Sequence, residues 1–221
     1  MTNIILGGTS GLGKEISVQL RENGQDTLVL GSSYDAAKNG DGIAIDLGSE
    51  RSVFECIDIL DKKLGGQALE SFWWVSGLGY NGDFSEQHDP RNMAVVNFAG
   101  ALPLVQFVWK KLLEQDSGTL AVVSSTTGQK ARVDEAVYAG TKHAQVGFAR
   151  SLGLEAERLE TNARVALFMP GGMRTPFWDT QRPDEYDTFN DPKKVATGMI
   201  NSVTKQDTVF EEVTVGRGEM V

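Results

Sequence analysis

The sequence predicts an α/β fold in three layers (α/β/α), a doubly wound parallel sheet of about seven strands with helices on both faces. Three observations predict it. Short aliphatic runs alternate with segments of helical period along the whole chain; the runs IIL, LVL and AVV are apolar on both faces, as strands covered on both sides are; and no repeat or long linker divides the 221 residues.

Strands are expected over 3–6, 27–30, 42–46, 72–75, 119–124, 164–168 and 212–215, where β-branched and aliphatic residues cluster. Helices are expected over 11–23, 49–64, 91–114, 135–159 and 192–204. Asn23-Gly24 is a stop signal for the first helix, and Asp191-Pro192 offers the last one an N-cap followed by proline at the first helical position. Trp73-Trp74 is expected to face opposite helical layers, as neighbours on a strand do.

A chain of this length buries one substantial core, so a single domain over 1–221 is expected. Its irregular stretch, 170–190, holds three of the six prolines and the aromatics Phe177, Trp178, Tyr186 and Phe189, and is expected to form a lid. Trp178 reads equally as a substrate contact or as loop packing.

With 30 acidic and 21 basic side chains the formal charge is −9, which argues against nucleic acid or an anionic membrane as a partner. The apolar stretch from Met93 to Trp109 is interrupted by Asn97, Gly100, Pro103 and Gln106, and the N-terminus has no export pattern. A soluble, cytoplasmic protein is expected. One cysteine, Cys56, and two histidines, His88 and His143, cannot build a thiolate or imidazole metal cage, so no metal is expected. Cys56 reads as a packing residue, and the histidines as surface or structural groups.

Two patterns carry chemistry. Gly7, Gly11 and Gly13 follow the first strand and open the first helix; glycines there allow a tight turn and close approach of a diphosphate to backbone N–H groups. Tyr138 and Lys142 lie four residues apart on one helical face, where an ammonium would stabilise a phenolate. Such a pair alone could be an ordinary surface feature. Ser125, thirteen residues before the tyrosine, makes coincidence far less plausible.

With these patterns, with Asn97-Phe98-Ala99-Gly100, with Ser124-Ser125-Thr126-Thr127-Gly128 and with the run from Pro170 to Thr175, the chain resembles the short-chain dehydrogenase/reductase family over nearly its whole length. The resemblance implies a Rossmann-type domain, an NAD(P)-dependent oxidoreductase and a homodimer or homotetramer. It implies Tyr138 as general acid toward a substrate carbonyl, Lys142 as the group lowering its pKa, Ser125 as a donor to the same oxygen, and Asn97 as a helix interruption binding a water that links Lys142 to solvent.

It also assigns cofactor contacts to Gly7, Thr9, Ser10, Gly11, Leu12 and Gly13 at the turn, to Ser32 and Ser33 after the second strand, and to Asp46 and Leu47 after the third. Gly77, Tyr138, Lys142, Pro170, Gly171 and Thr175 complete that set. Asp46 reads equally as an adenine contact or as a turn aspartate. Where the family has an acid that binds the ribose hydroxyls of NAD, this chain has Gly31, so NADP(H) is expected over NAD(H), with Lys14 as a further contact to the phosphate.

Two departures stand out: Ser76-Gly77-Leu78-Gly79 replaces the family's Asn-Asn-Ala-Gly, and Leu6 replaces a threonine. The expected reaction is reduction of a small ketone or aldehyde, or the reverse alcohol oxidation, with Arg174 and Arg182 able to receive an anionic group. A 3-oxoacyl-carrier-protein reductase that meets its partner through Lys130 and Arg132 is one alternative, and a non-catalytic NADP(H)-sensing regulator is another.

Overall fold

The computed structural model describes residues 1–179 and 182–217, so Thr180 and Gln181 of the expected lid lie outside the described residues. In chain order its elements are β1 (Thr2–Leu6), α1 (Gly11–Glu22), β2 (Asp26–Gly31), α2 (Ala36–Asn39), β3 (Gly42–Ala44), α3 (Glu50–Leu64) and β4 (Leu69–Trp74). They continue with α4 (Pro90–Asn97), α5 (Leu102–Gln115), β5 (Thr119–Val123), α6 (Ala136–Leu159), β6 (Arg164–Pro170), α7 (Pro192–Lys205) and β7 (Phe210–Val215).

Among the described residues the strands form one seven-stranded sheet in the order β3-β2-β1-β4-β5-β6-β7. Every pairing in it is parallel. The order reverses between β1 and β4, and a crevice opens beyond the carboxyl ends of strands at such a reversal.

Alternation along each strand divides the core between the two faces. Ile4, Leu6, Phe72, Trp74, Leu120 and Val122 point into the larger layer with residues of α3, α5 and α6, whereas Ile5, Trp73, Ala121, Val123 and Phe168 meet α1 and α7. Trp73 stacks on Phe168 at 6.0 Å, and Trp74 lies 6.0 Å from Phe98 and from Phe148, so the tryptophans serve opposite layers as expected.

The helix starts follow local chemistry. Ser49 accepts from the Ser52 N–H at 3.3 Å before α3, Asp89 from Asn92 at 2.9 Å before α4, and Asp191 from Lys193 at 2.9 Å before α7, where Pro192 needs no donor partner. α1 ends at Glu22 before Asn23-Gly24, and Gly24 takes the left-handed φ of 75° that the stop requires.

Three expectations about elements need correction. The helix expected over 91–114 is broken: α4 ends at Asn97, a 3-10 turn spans Ala99–Ala101, and α5 carries proline in its first turn. Pro103 cannot donate back into a continuing helix, and Gly100 lies so close to the Leu47 carbonyl that a side chain there would collide. The third strand stops at Ala44 rather than Asp46, because the Asp46 carboxylate accepts from the Gly48 N–H at 2.9 Å and turns the chain. The short α2 was not expected; Asp35 caps it by accepting from Ala37 at 3.0 Å.

By length and composition alone, the stretch Pro90–Gln115 would serve to cross a membrane. In the fold its apolar side chains Leu104, Val105, Val108 and Leu112 pack into the larger core layer.

Candidate active site

A cavity of about 540 Å³ opens at the reversal between β1 and β4. One side is built almost wholly of backbone. Gly7 has a φ of 90°, and a Cβ there would sit 2.6 Å from the Ser76 nitrogen, so the loop after β1 lies directly on the loop after β4. A Cβ on Gly13 would run into the Gly7 carbonyl. α1 begins behind Ser10 with no side-chain cap and no acidic residue in its first turn, so its leading N–H groups remain available to an anion at the positive end of the helix. The Ser76 hydroxyl, on the cavity wall, is buried without a hydrogen-bond partner.

Further along this side lie Gly31, Ser32, Ser33, Asp46 and Leu47. A Cβ on Gly31 would come within 2.7 Å of the Thr9 methyl, which leaves no room for an acidic side chain there unless Thr9 moves. Ser33 donates to the Thr9 hydroxyl at 3.0 Å. Asp46 holds its turn and also lines the wall. Lys14 is exposed and does not belong to the wall, contrary to the expectation that it meets a phosphate here.

The opposite side is built of side chains. Ser125 caps the 3-10 turn Thr126–Gly128 by accepting from the Thr127 N–H at 3.1 Å. Ser124 donates to the Lys142 carbonyl at 2.9 Å, fixing the end of β5 against α6. Tyr138 and Lys142 share one face of α6, with the Lys142 nitrogen 5.7 Å from the centre of the Tyr138 ring, and both line the cavity with Ser125.

Lys142 is 4% exposed and donates to the Val123 carbonyl at 3.1 Å and to the Gln145 Oε1 at 2.9 Å. Burial lowers its ammonium to about 7. Burial also pushes the Tyr138 phenol up to about 12; the Ser125 hydroxyl and Arg132 pull it down, and Glu135 adds to the rise. Against the expectation that Lys142 lowers the phenol, desolvation of both groups outweighs their proximity.

Asn97 ends α4, the interruption that the resemblance implies. It is fully buried behind the wall: its Oδ1 accepts from the Leu78 N–H at 2.6 Å, and its Nδ2 donates to the Leu78 carbonyl at 2.8 Å and to the Thr141 hydroxyl at 3.1 Å. The side chain braces the loop after β4 against α6. Its backbone carbonyl accepts from Gln145 Nε2 at 3.1 Å, and the Gln145 amide thereby joins it to Lys142.

All the other residues expected to touch a cofactor, from Gly7 to Thr175, stand on the cavity wall. Thr175 packs on the turn, 3.3 Å from where a Gly11 Cβ would be. Beyond it, Phe177 lies 5.7 Å from the Tyr138 ring and against the Gly79 backbone, and the rings continue through Trp178 to Phe189 and Tyr186.

The Arg174 guanidinium donates to the Phe189 carbonyl and Arg182 lies 4.3 Å from the centre of the Tyr186 ring, so both make contacts within this segment. Sequence reading missed Gln145, Glu135 and Arg217. Their signal is burial for the first and a place on the wall for the others, neither visible in spacing. His88 is exposed, His143 Nδ1 lies 2.8 Å from the Ala139 carbonyl, and burial pushes the Cys56 thiol up to about 11, consistent with packing.

The bare glycine cradle, the uncapped helix start and the orphaned Ser76 hydroxyl fit a dinucleotide. A family model described as short chain dehydrogenase matches residues 2–186. Carbonyl reductase family member 4 of Xenopus tropicalis is 22% identical over 213 residues, 89% of this chain and 88% of that protein.

Among solved structures, a short chain dehydrogenase/reductase from Burkholderia phymatum in complex with NAD superposes with a TM-score of 0.82 at 17% identity, covering 95% of this chain and 88% of that one. An alcohol dehydrogenase from the archaeon Thermococcus sibiricus complexed with 5-hydroxy-NADP gives a TM-score of 0.85 at 19% identity, covering 100% and 97%. With a match that takes in most of its length, laid over this sheet and cleft, the chain belongs to the short chain dehydrogenase family and is an oxidoreductase acting between CH–OH and C=O groups with a nicotinamide cofactor.

Proposed function

We propose that the protein reduces a small, partly apolar ketone or aldehyde with NADPH, and runs the reverse oxidation when alcohol is in excess. The observation that carries this reading is the convergence of Ser125, Tyr138 and Lys142 on one wall of a cleft whose other wall is the glycine turn.

When bound, the nicotinamide supplies hydride exchange with carbon. Gly7, Gly11 and Gly13 hold the diphosphate against backbone N–H groups, and Thr175 and Pro170 border the ring end. Tyr138 keeps its proton at neutral pH, since burial pushes its phenol up to about 12, and gives it from Oη to the carbonyl oxygen. Ser125 donates to the same oxygen and positions it. Lys142, when charged, favours the phenolate that remains.

Preference for NADPH is supported by the Thr9, Ser32 and Ser33 hydroxyls around Gly31, where Thr9 leaves no room for a carboxylate. The segment 170–190 acts as a lid: Phe177, Trp178 and Phe189 give the substrate side an apolar lining, with Arg132 and Glu135 as its polar groups. Exposed Phe54, Leu154 and Leu159 support assembly into a homo-oligomer, and we place the enzyme in the cytoplasm.

A screen of carbonyl compounds and alcohols, followed by absorbance of the reduced nicotinamide, tests the reading. Turnover of a small ketone or aldehyde is expected, with NADPH bound more tightly than NADH in a fluorescence titration. Binding without turnover across the screen would make the protein a sensor, and tighter NADH would overturn the cofactor assignment.

A further inference from the structure

Gln145 is fully buried in α6, one turn beyond Lys142 on the same face, and both ends of its amide are committed. Oε1 accepts from Lys142 Nζ at 2.9 Å, and Nε2 donates to the Asn97 carbonyl at 3.1 Å, across 48 residues of sequence. The Asn97 carbonyl is itself fixed, because α4 stops there and the Asn97 side chain is tied to Leu78 and Thr141.

An ammonium has three N–H donors in freely rotating positions. Here Gln145 Oε1 takes one and the Val123 carbonyl, at 3.1 Å, takes a second. The third is left for the cavity that Lys142 lines. Burying a glutamine costs its desolvation unless both of its ends are paired, and an aliphatic residue would fill the same space without that requirement.

We propose that Gln145 is a positioning residue of the active site, a rigid amide strut between the Asn97 backbone and Lys142 that aims the remaining N–H of the lysine into the cleft. The proposal rests on the catalytic reading of Tyr138 and Lys142 and adds to it a residue that touches neither substrate nor cofactor. It has a chemical consequence. An amide with both ends hydrogen-bonded holds an ammonium but does not pass protons along as a water does, so the proton that Tyr138 spends is replaced from the open side of the cleft.

The titratable group facing Lys142 is Tyr138, and Glu135 and Arg132 bear on Tyr138 in turn. Burial is what lowers Lys142, with no carboxylate contributing.

The test is an NMR titration of Lys142 in the full-length protein, with lysine carrying a 13C label at Cε and the resonance assigned by its loss in Lys142→Met. Gln145→Glu places a carboxylate on the ammonium and is expected to raise the midpoint by about one to three pH units. Gln145→Met keeps the volume, removes the acceptor, and is expected to lower the midpoint.

A purely packing role predicts that Gln145→Met is tolerated with the Lys142 midpoint unmoved, whereas Gln145→Glu raises the midpoint under either role and serves to verify that the two side chains are in contact. An unchanged midpoint in either folded variant overturns the proposal, and a lowered midpoint in Gln145→Met supports it. Because the titration needs no substrate, it decides the role of Gln145 even if the wild-type protein turns over no carbonyl compound, an outcome that would count against the catalytic reading instead.

Discussion

The two walls of the cleft are made in opposite ways. The turn after β1 recognises by lacking side chains: Gly7 and Gly13 leave backbone bare, and the start of α1 is uncapped. The wall from β5 and α6 recognises by side chains that are placed by other side chains, with Ser125, Tyr138 and Lys142 held through Ser124, Gln145 and Asn97. The turn at the centre of the first wall is seven consecutive residues, Gly7 to Gly13, seated through Gly7 on the loop after β4. The second depends on contacts that span up to 48 residues, so its precision is a property of the whole fold.

The contrast is broken most severely at the turn. Gly13→Ala puts a methyl group into the Gly7 carbonyl, and the turn must open to admit it. Loss of cofactor affinity by about 100-fold or more, equivalent to about 3 kcal/mol, is expected in a fluorescence titration. Affinity within a few-fold of wild type would show that backbone approach does not govern this wall.

On the side-chain wall, damage should be read first as lost stability. Asn97→Ala strips partners from the Leu78 N–H and carbonyl and from the Thr141 hydroxyl. Each net hydrogen bond lost costs about 0.5–1.5 kcal/mol, measurable by denaturant unfolding. Turnover per folded molecule is expected to fall with it, because Leu78 lines the cavity and α6 carries Tyr138. Unaltered stability would mean that the brace is dispensable.

A smaller effect concerns protons. Burial holds Lys142 at about 7 in the folded protein, below the ordinary lysine value of 10.5. Between those values the unfolded chain binds the extra proton, so this side chain's contribution to stability rises with pH across that window. Anionic phosphates and a ribose hydroxyl favour the ammonium, which raises its pKa on loading. Cofactor binding at pH 8 should therefore take up protons, and at pH 5.5, where Lys142 is already charged, it should take up almost none. Calorimetric titration in buffers of different ionisation enthalpy checks this, and absence of uptake at pH 8 would contradict the buried environment of Lys142.

The same contrast explains what could be read from sequence. The glycine spacing, the both-faces-apolar strands and the Tyr138/Lys142 step are short-range patterns, and the sheet order, the two-layer placement of Trp73 and Trp74 and the cofactor wall follow from them. The break after Asn97 was legible in the resemblance and in Pro103, while the pressure of Leu47 on Gly100 comes from a distant loop and was not. Gln145 was invisible because nothing in a helix of mixed polarity marks one glutamine as buried. The engagement of Arg174 with Phe189 and the high phenol of Tyr138 depend likewise on burial, which sequence spacing does not carry.

One substitution reaches the central claim with the least disturbance. Tyr138→Phe removes a single oxygen from a half-buried ring and leaves the turn, Lys142 and the lid aromatics in place. NADPH affinity within a few-fold of wild type, with carbonyl reduction down by about 10²- to 10⁴-fold, is the predicted result. A variant that reduces the same substrate at the wild-type rate would show that the proton comes from elsewhere.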